Sequence, residues 1–368
     1  MGIMLLVGRL YGNDQDEGEN LLGWEWDRFW APGEGAGLLE LIRGYGQAIF
    51  FEQAFRTGIF DCLTEEPNDA KFFAAKMGCP SDRVEYLLDA LAAIELVEKE
   101  GEFYRIAPLA ARYLRRGSPY YIGDLIDMEF ASRQRESWGM LGEWLKGKTI
   151  NCAHHPRVVF QPSFVKAMAQ AVLSDNSVAQ TAGIISSHPC FAVSHNVLDL
   201  GGGHGLYSLA LLNIKSDLNI TVFDLPQVKT VTFGYAQVFG REPGFQPGDF
   251  YKDELPCNQD IVLAFDILHP VPGTQKEEVF KKAHKALNTG GYLFYKTWFL
   301  DETRTKPRRG ALFALKSKIT NDASHVYTFS EAKIMLERVG FRVEDRLFLD
   351  DGCSSILVAC KKRTGNKQ

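Results

Sequence analysis

Two short apolar runs in the second half of the chain each carry a carboxylate at or next to their last residue, and a glycine-rich loop follows the first. Asn196-Val-Leu-Asp-Leu200 leads into Gly201-Gly-Gly-His-Gly205, and Ile220-Thr-Val-Phe-Asp224 ends in the second acid. Such runs predict buried parallel strands, with the amphipathic segment Leu206–Ile214 as the crossover helix between them. This pattern indicates the front half of a nucleoside-binding α/β sheet, in which ligands lie beyond the carboxyl ends of the strands.

The apolar pattern continues as strands and helices to the end of the chain. It predicts a strand at Asp260–Phe265, a helix at Glu277–Leu287, a turn at Gly290-Gly291, a strand at Tyr292–Phe299, a helix at Phe329–Val339 and a closing hairpin of Leu347–Leu349 with Ser355–Cys360. Residues 191–368 are therefore expected to form a Rossmann-like α/β domain with a mostly parallel sheet and an antiparallel terminal hairpin.

A helix-rich segment with one hairpin precedes the predicted sheet domain. Helical spacing predicts helices at Leu38–Phe60, Asp69–Met77 and Asp82–Leu96, and alternation over Leu96–Ile106 predicts a β-hairpin. Three helices and a hairpin make a winged helix, which we assign to residues 37–118. We expect a Gly- and Trp-rich arm at residues 1–36, and a helical linker at residues 119–190 with helices at Tyr121–Leu145 and Ser163–Ser187.

A winged helix can read DNA, but the helix that would do so here carries the wrong charge. Asp82–Leu96 presents Arg83 among acids that include Asp82, Glu85 and Asp89, and phosphate would repel this surface. Its apolar face suits burial against a core or a partner instead. We therefore expect no nucleic-acid partner.

Composition and charge limit the partners and the cellular location that the chain can have. The 368 residues are 45% hydrophobic and carry a formal charge of −5, which allows a large core in two domains and gives no electrostatic footprint for nucleic acid. Seven cysteines without a C-x-x-C spacing suit reduced thiols and a cytoplasmic location. No apolar run reaches the length of a membrane span. We therefore expect no membrane association. The adjacent His154 and His155 cannot easily share one metal, so no metal is expected either.

The glycine loop favours one nucleoside over the common dinucleotides. A dinucleotide fingerprint needs G-x-G-x-x-G, but its third glycine position, counted from Gly201, is Leu206. Asp199 lies just before the loop, where it would repel a pyrophosphate and attract an ammonium or sulfonium group. S-adenosylmethionine carries both cations and no phosphate, and Asp224 is placed to accept hydrogen bonds from its ribose. The alternative is a tight glycine turn in an ordinary α/β domain.

Several motifs together resemble one family. They are Thr57-Gly-Ile-Phe-Asp61, Phe164-Val-Lys-Ala-Met168, Asp199-Leu-Gly-Gly-Gly-His-Gly205, Phe223-Asp-Leu-Pro226, Gly248-Asp-Phe250 and Ile267-Leu-His269. From about residue 38 to 361 the chain resembles the class I S-adenosylmethionine-dependent small-molecule O-methyltransferases, the family of the caffeate, hydroxyindole and polyketide enzymes. The resemblance implies a homodimer formed by the N-terminal domain, with a partner helix lining each active site, and a small-molecule substrate.

The resemblance also implies roles for individual residues at the cofactor site. Gly201 and Gly203 would approach the cofactor through their backbone, Asp224 would hold the ribose with Leu225 beside it, and Asp249 with Phe250 would cradle the adenine. For the acceptor pocket we single out four side chains, although a helical core explains each of them equally well: Met128, Trp138, Phe164 and Met168.

His269 is the candidate general base. It follows a predicted strand at the carboxyl edge of the sheet, where a neutral imidazole can take the proton from an attacking hydroxyl. Without the motif, a histidine at a strand end is more often a hydrogen-bonded structural residue. The chain departs from the family here, because Pro270 replaces the aspartate after the base. Gapless counting places Thr297, and a residue near Val326, where the family has glutamates that orient the imidazole.

Three functions remain open at this stage. The first is methyl transfer to an acceptor that is already nucleophilic, such as an acidic phenol, an enol or a ring nitrogen, so that positioning supplies most of the rate. The second is non-methyl chemistry in the same pocket, such as hydroxylation, decarboxylation or a pericyclic step, with the cofactor retained. The third is a dimeric interaction protein without catalysis. Release of adenosylhomocysteine during turnover separates the first from the second.

Overall fold

A computed structural model of the chain describes residues 35–148, 160–269, 273–350 and 352–362. The arm expected at residues 1–36 lies almost wholly outside these ranges, as do Pro270 and the pair His154 and His155. Backbone contacts divide the chain into two units, Met1–Arg56 and Thr57–Gln368. The described part of the first unit is helix α1 (Ala36–Arg56), in which Arg56 Nε donates a hydrogen bond to Glu52 Oε1 at 2.9 Å.

The second unit begins with short helices and a three-stranded sheet. In chain order they are α2 (Ile59–Cys62), β1 (Asn68–Asp69), α3 (Ala70–Met77), α4 (Ser81–Ala93), β2 (Val97–Glu100), β3 (Phe103–Ile106) and α5 (Pro108–Tyr113). Asp69 caps α3 by accepting a hydrogen bond from the backbone N–H of Phe72. Strands β2 and β3 form the predicted hairpin, and β1 pairs with β3.

Two predictions of single long helices in the linker were wrong. The segment predicted at Tyr121–Leu145 forms α6 (Gly123–Glu129), α7 (Ser132–Gly139) and α8 (Leu141–Leu145), because Ser132, Gly139 and Gly142 weaken helix propagation. The segment predicted at Ser163–Ser187 forms α9 (Pro162–Ser174) and α10 (Ser177–Ser187). Asn176 between them has φ 62°, a left-handed conformation that Asn tolerates and that ends a helix.

The rest of the unit is a seven-stranded sheet with helices between the strands. The strands are β4 (Asn196–Leu200), β5 (Asn219–Asp224), β6 (Gly244–Pro247), β7 (Gln259–Phe265), β8 (Leu287–Thr297), β9 (Phe341–Phe348) and β10 (Ser355–Lys361). The helices are α11 (Pro189–Val193), α12 (Leu206–Ile214), α13 (Lys229–Phe239), α14 (Gly273–Ala286), α15 (Arg308–Thr320) and α16 (Phe329–Arg338).

The strand order β6-β5-β4-β7-β8-β10-β9 confirms the predicted Rossmann-like class. Five strands are parallel, and β10 is antiparallel to both β8 and β9. Gly290 and Gly291, predicted as a turn, lie within β8 at an irregularity of its pairing with β7. The edge strand β6 and helix α13 were not predicted.

Apolar side chains cover both faces of this sheet. One cluster packs α14 and α16 against the strands through residues such as Phe280 and Leu336. The other packs α10 and α12 against the opposite face through residues such as Ile185 and Leu211. The sheet is therefore buried on both sides, and its carboxyl edge remains for a ligand. Among the helices of the described ranges, none is both long and apolar enough to cross a membrane.

Candidate active site

The glycine loop after β4 meets segments from two other strands. A Cβ placed on Gly201 would lie 2.7 Å from Ile267 Cγ2 and 3.3 Å from Phe250 Cε1, so a side chain there would collide with both segments. Gly201 has φ 67°, and its backbone N–H donates to the carbonyl of Phe223 at 2.8 Å. The loop therefore lies against the Gly248–Phe250 and Ile267–His269 motifs, as the resemblance implies.

Asp199 is a buried carboxylate with one unpaired oxygen. Its Oδ2 accepts a hydrogen bond from Ser208 Oγ at 2.6 Å, whereas Oδ1 has no hydrogen-bond partner among the described residues. Burial raises the pKa of Asp199 to about 7, with a lowering by Ser208 and a further raising by Asp224. A buried acceptor without a donor is unfavourable. Asp199 Oδ1 therefore fits a cationic donor such as the ammonium group of S-adenosylmethionine.

Asp224 ends β5 and holds the loop from the other side. Its Oδ2 accepts from the backbone N–H of Gly203 at 2.8 Å, and its Oδ1 accepts from the N–H of Leu225 at 2.6 Å. Burial raises the pKa of Asp224 to about 6, against the lowering by these two bonds. Each oxygen can still accept a further hydrogen bond, which fits a ribose diol.

The two predicted adenine residues are in different situations. Phe250 lies beside Gly201, and its ring centroid is 4.6 Å from that of Tyr251. Asp249 is engaged within its own loop, because its carboxylate accepts from the N–H of Tyr251 at 3.0 Å and pairs with Lys252 Nζ at 2.9 Å. Phe250 is therefore in place as an apolar wall, whereas Asp249 orders the turn that carries it.

His269 lies at the carboxyl edge of β7 as predicted. Its Nδ1 is 3.2 Å from Thr297 Oγ1, and its ring makes an edge contact with Phe313 at 5.2 Å between centroids. Burial lowers the pKa of His269 to about 4; Asp266 raises it, and Lys276 and Lys296 lower it further. The imidazole is therefore neutral at physiological pH, as a general base must be.

The structure places Thr297 opposite the imidazole, where the gapless count put it. Val326 is buried, and its carbonyl accepts a hydrogen bond from Arg304 at 3.3 Å. The hydroxyl of Thr297 can orient the ring, but it cannot supply the charge that a glutamate would.

Asp266 and Lys296 form a charged pair that the sequence interpretation missed. Lys296 Nζ donates to Asp266 Oδ2, and the lysine side chain is only 2% exposed. Burial lowers the pKa of Lys296, but Asp266 and Tyr207 raise it by more, so the net shift is upward. The signal for Asp266 was available, because it follows the apolar run of β7 as Asp224 ends that of β5.

The backbone around this pair is strained. Asp266 has φ 51° and Leu268 has φ 69°, and a non-glycine residue in such a conformation costs about 1–3 kcal/mol. Aspartate tolerates the left-handed region, but leucine does so rarely. Strain of this kind is concentrated at functional sites, and here it lies between two side chains whose atoms Asp266 Oδ1 and His269 Nε2 are 4.0 Å apart.

The four predicted pocket residues lie on the three helices α6, α7 and α9. Phe164 and Met168 are on α9, next to Val165, whose Cγ1 is 3.7 Å from the Cβ position of Gly203. Met128 is on α6, which Gln170 of α9 holds by accepting from the N–H of Leu125. Trp138 is on α7, which packs against α15. The structure therefore brings α9 to the glycine loop, and α15 to His269 through Phe313.

Two aromatic residues near the base were not singled out from the sequence. Trp298 follows β8 and makes an edge contact with Phe313 at 5.1 Å, and the guanidinium of Arg309 lies 5.1 Å from the Trp298 ring centroid.

Within the described ranges, no group of three His, Cys, Asp or Glu side chains could hold a metal ion.

Two family models match the chain. The model described as the O-methyltransferase domain matches residues 155–342, and the model described as the O-methyltransferase dimerisation domain matches residues 39–116. The first covers β4 to the start of β9, and with them all the residues assigned above to the cofactor and the base.

Curated relatives match over most of their length. The N,N-dimethyltransferase OxyT of Streptomyces rimosus is 26% identical over 332 residues, which are 88% of this chain and 96% of the relative. The tetracenomycin polyketide synthesis 8-O-methyl transferase TcmO of Streptomyces glaucescens is 25% identical over 320 residues, 84% of this chain and 91% of the relative.

Solved structures share the fold. Human N-acetylserotonin methyltransferase in complex with S-adenosylmethionine matches with a TM-score of 0.75 and 24% identity, covering 91% of this chain and 99% of that one. An O-methyltransferase family protein from Burkholderia thailandensis matches with a TM-score of 0.74 and 23% identity, covering 91% of this chain and all of that one.

Proposed function

The chain belongs to the O-methyltransferase family, and on that premise we propose that it transfers the methyl group of S-adenosylmethionine to a hydroxyl group of a small aromatic or enolic acceptor. The observation that carries this proposal is the unpaired Oδ1 of the buried Asp199. It lies beside a glycine loop in which a Cβ at Gly201, Gly202 or Gly205 would come within 2.5–2.8 Å of a neighbouring side chain. The family match supports methyl transfer rather than the non-methyl or non-catalytic alternatives.

We propose that the cofactor residues divide the recognition of S-adenosylmethionine among them. When bound, this group supplies an electrophilic methyl on a sulfonium centre. Asp199 Oδ1 accepts from its ammonium group, and Asp224 accepts from its ribose hydroxyls beside Leu225. Gly201 and Gly203 admit it against their backbone, and Phe250 covers one face of its adenine, with Asp249 ordering the turn beneath.

His269 acts on the acceptor. Its neutral imidazole takes the proton of the acceptor hydroxyl, which makes the oxygen a better nucleophile. The acceptor lies between α9 and α15, and Met128, Trp138, Phe164 and Met168 line its pocket in this proposal. The ring contact of His269 with Phe313 supports an aromatic acceptor, since aromatic rings pack edge to face with such a wall.

We assign the domains and the cellular setting as follows. Residues 37–118 form the dimerisation domain, residues 119–190 the helical linker that carries pocket residues, and residues 191–368 the cofactor domain. Homodimerisation is supported by the match to a dimerisation domain and by exposed apolar side chains of α1, which include Leu38, Leu41, Ile42 and Tyr45. The free thiols of Cys62, Cys79, Cys190 and Cys257 support a cytoplasmic location.

Replacement of Asp224 tests the cofactor site. Titration calorimetry should give low-micromolar affinity for adenosylhomocysteine, and Asp224→Ala should weaken it by about 1.5–3 kcal/mol, because charge-assisted hydrogen bonds are lost. Asp217→Ala, which removes an exposed carboxylate outside the site, is the matched control. Equal affinity in all three proteins would remove Asp224 from the cofactor site.

Incubation with labelled S-adenosylmethionine and a cell extract tests the reaction and identifies the acceptor. The label should appear in a small aromatic or enolic compound, and Asp224→Ala should reduce its amount. Label recovered only in protein or nucleic acid would overturn the proposed acceptor class.

A further inference from the structure

We infer that Asp266, held in place by Lys296, is a positioning residue for His269. It supplies a negative charge in place of the aspartate and glutamates that the family has around this histidine and this chain lacks. This inference rests on the proposed function, since it concerns the same base. Asp266 directly follows β7, and the uncharged side chains of Thr297 and Val326 cannot fill this role.

The two ring nitrogens of His269 face different partners. Nδ1 faces the hydroxyl of Thr297 at 3.2 Å, whereas Nε2 faces Asp266 Oδ1 at 4.0 Å. When Thr297 Oγ1 accepts from Nδ1–H, the lone pair lies on Nε2. Nε2 is then the nitrogen that takes the acceptor's proton, and the carboxylate lies on the side where the new positive charge forms.

Asp266 is fixed by both its backbone and its side chain. Its N–H donates to the carbonyl of Lys296 at 2.9 Å, and its Oδ2 accepts from Lys296 Nζ. One carboxylate oxygen is therefore committed to the buried lysine, and the other is left directed at Nε2. The left-handed φ of 51° at Asp266 produces this orientation, since a regular extension of β7 would turn the side chain elsewhere.

Three charged side chains among the described residues affect the pKa of His269. Asp266 favours the protonated imidazole, whereas Lys276 on α14 and Lys296 on β8 oppose it. In the transfer, the acceptor's O–H bond breaks and its proton joins the Nε2 lone pair. The oxygen's electron pair forms the bond to the methyl carbon as the carbon–sulfur bond of S-adenosylmethionine breaks and leaves its electron pair on sulfur. The proton later leaves Nε2 for water. Without Asp266 the new imidazolium would face two cations alone.

Histidine NMR on the full-length protein tests the inference without any acceptor. In isotope-labelled protein, with the His269 signal assigned from His269→Gln, Asp266→Asn should lower the pKa of His269 by about one unit. Asp266→Glu should restore most of it, and Asp217→Asn should leave it unchanged. An unshifted His269 in Asp266→Asn would overturn the inference.

A second variant keeps the test decisive if Asp266→Asn does not fold. Asp266→Ser also removes the carboxylate but has a smaller side chain, so it should likewise lower the pKa of His269. No change in that variant would also contradict the proposed coupling.

Turnover separates the inference from the proposed function. With an acceptor found by methyl labelling, Asp266→Asn should lower kcat about 10- to 100-fold and displace the acid limb of the pH profile, with unchanged cofactor affinity. Asp266→Glu should recover part of the loss. Unchanged kcat and pH profile in Asp266→Asn would defeat the inference alone. Absence of methyl transfer by the wild type to every acceptor would defeat the proposed function, while the NMR result still decides the role of Asp266.

Discussion

The buried acid Asp199 in β4 is one of the residues that we propose bind the cofactor. Asp199 keeps an unpaired oxygen in the interior, and a buried acid of this kind destabilises the protein without its ligand. The sign of the pH effect follows from its pKa, which rises from 3.8 to about 7 on folding. The folded chain holds the proton more tightly, so between about pH 4 and pH 7 this residue lowers the free energy of unfolding as pH rises.

Asp199→Asn should therefore stabilise the ligand-free protein and weaken cofactor binding. At pH 8 we expect a gain of about 1–3 kcal/mol in the free energy of unfolding, because the buried charge is removed, and no comparable gain at pH 4. Denaturant unfolding at both pH values measures this. Calorimetry of the same variant should show at least a tenfold loss of adenosylhomocysteine affinity. A variant less stable than wild type at pH 8, or one with full affinity, would contradict this role.

At the residue scale the sequence predicted the polar groups that end apolar runs. Asp199, Asp224 and His269 are close to the places expected for them, because strand ends in a parallel sheet converge on one edge. The sequence interpretation did not find the pairing of Asp266 with Lys296. That contact depends on a left-handed turn at Asp266 and on the neighbouring position of β8, and neither follows from periodicity.

At the scale of elements, the turn between β4 and α12 is the segment that we propose binds the cofactor. Gly201 and Gly240 both have positive φ, 67° and 64°. A Cβ at Gly201 would meet Ile267 and Phe250, whereas nothing lies within 4 Å of a Cβ at Gly240. A comparison of alanine substitutions at these two glycines therefore separates the cost of backbone strain from the cost of crowding the site.

Gly201→Ala should disturb the site far more than Gly240→Ala. Both variants should lose about 1–2 kcal/mol of stability from the left-handed backbone. Only Gly201→Ala should also weaken adenosylhomocysteine binding, by about tenfold or more, because Ile267 must shift to admit the methyl group. Denaturant unfolding and calorimetry on the pair measure both effects. Equal affinities in the two variants would show that the β4–α12 turn does not touch the cofactor.

The strongly periodic elements were predictable, and the irregular ones were not. Helix α12 has the predicted bounds of Leu206–Ile214, since an apolar helix between two buried strands leaves little freedom. The breaks after Glu129, after Gly139 and at Asn176 were missed, because they depend on local turns rather than on the apolar pattern. The edge strand β6 is short and mostly exposed, so it has no apolar run to reveal it.

At the scale of the whole molecule, the dimerisation domain predicts the oligomeric state. Exposed leucines of α1 and the match over residues 39–116 support an interface, and an obligate interface of this kind buries more than about 2,000 Å². Light scattering at micromolar concentration should give twice the 41.3 kDa mass of the chain. Leu41→Lys together with Ile42→Lys should shift the mass toward the monomer, whereas Val238→Lys, at an exposed position of the cofactor domain, should not. A wild-type monomer would contradict the shared-active-site arrangement.

The central claim is that this chain uses S-adenosylmethionine as a methyl donor. The most direct measurement is the amount of adenosylhomocysteine formed per acceptor consumed by the purified protein, followed together by chromatography. We predict one adenosylhomocysteine and one methylated product for each acceptor consumed. The rate at which both form should fall about a hundredfold in His269→Ala. Conversion of an acceptor while S-adenosylmethionine remains intact would contradict the claim and place the chain among the non-methylating alternatives.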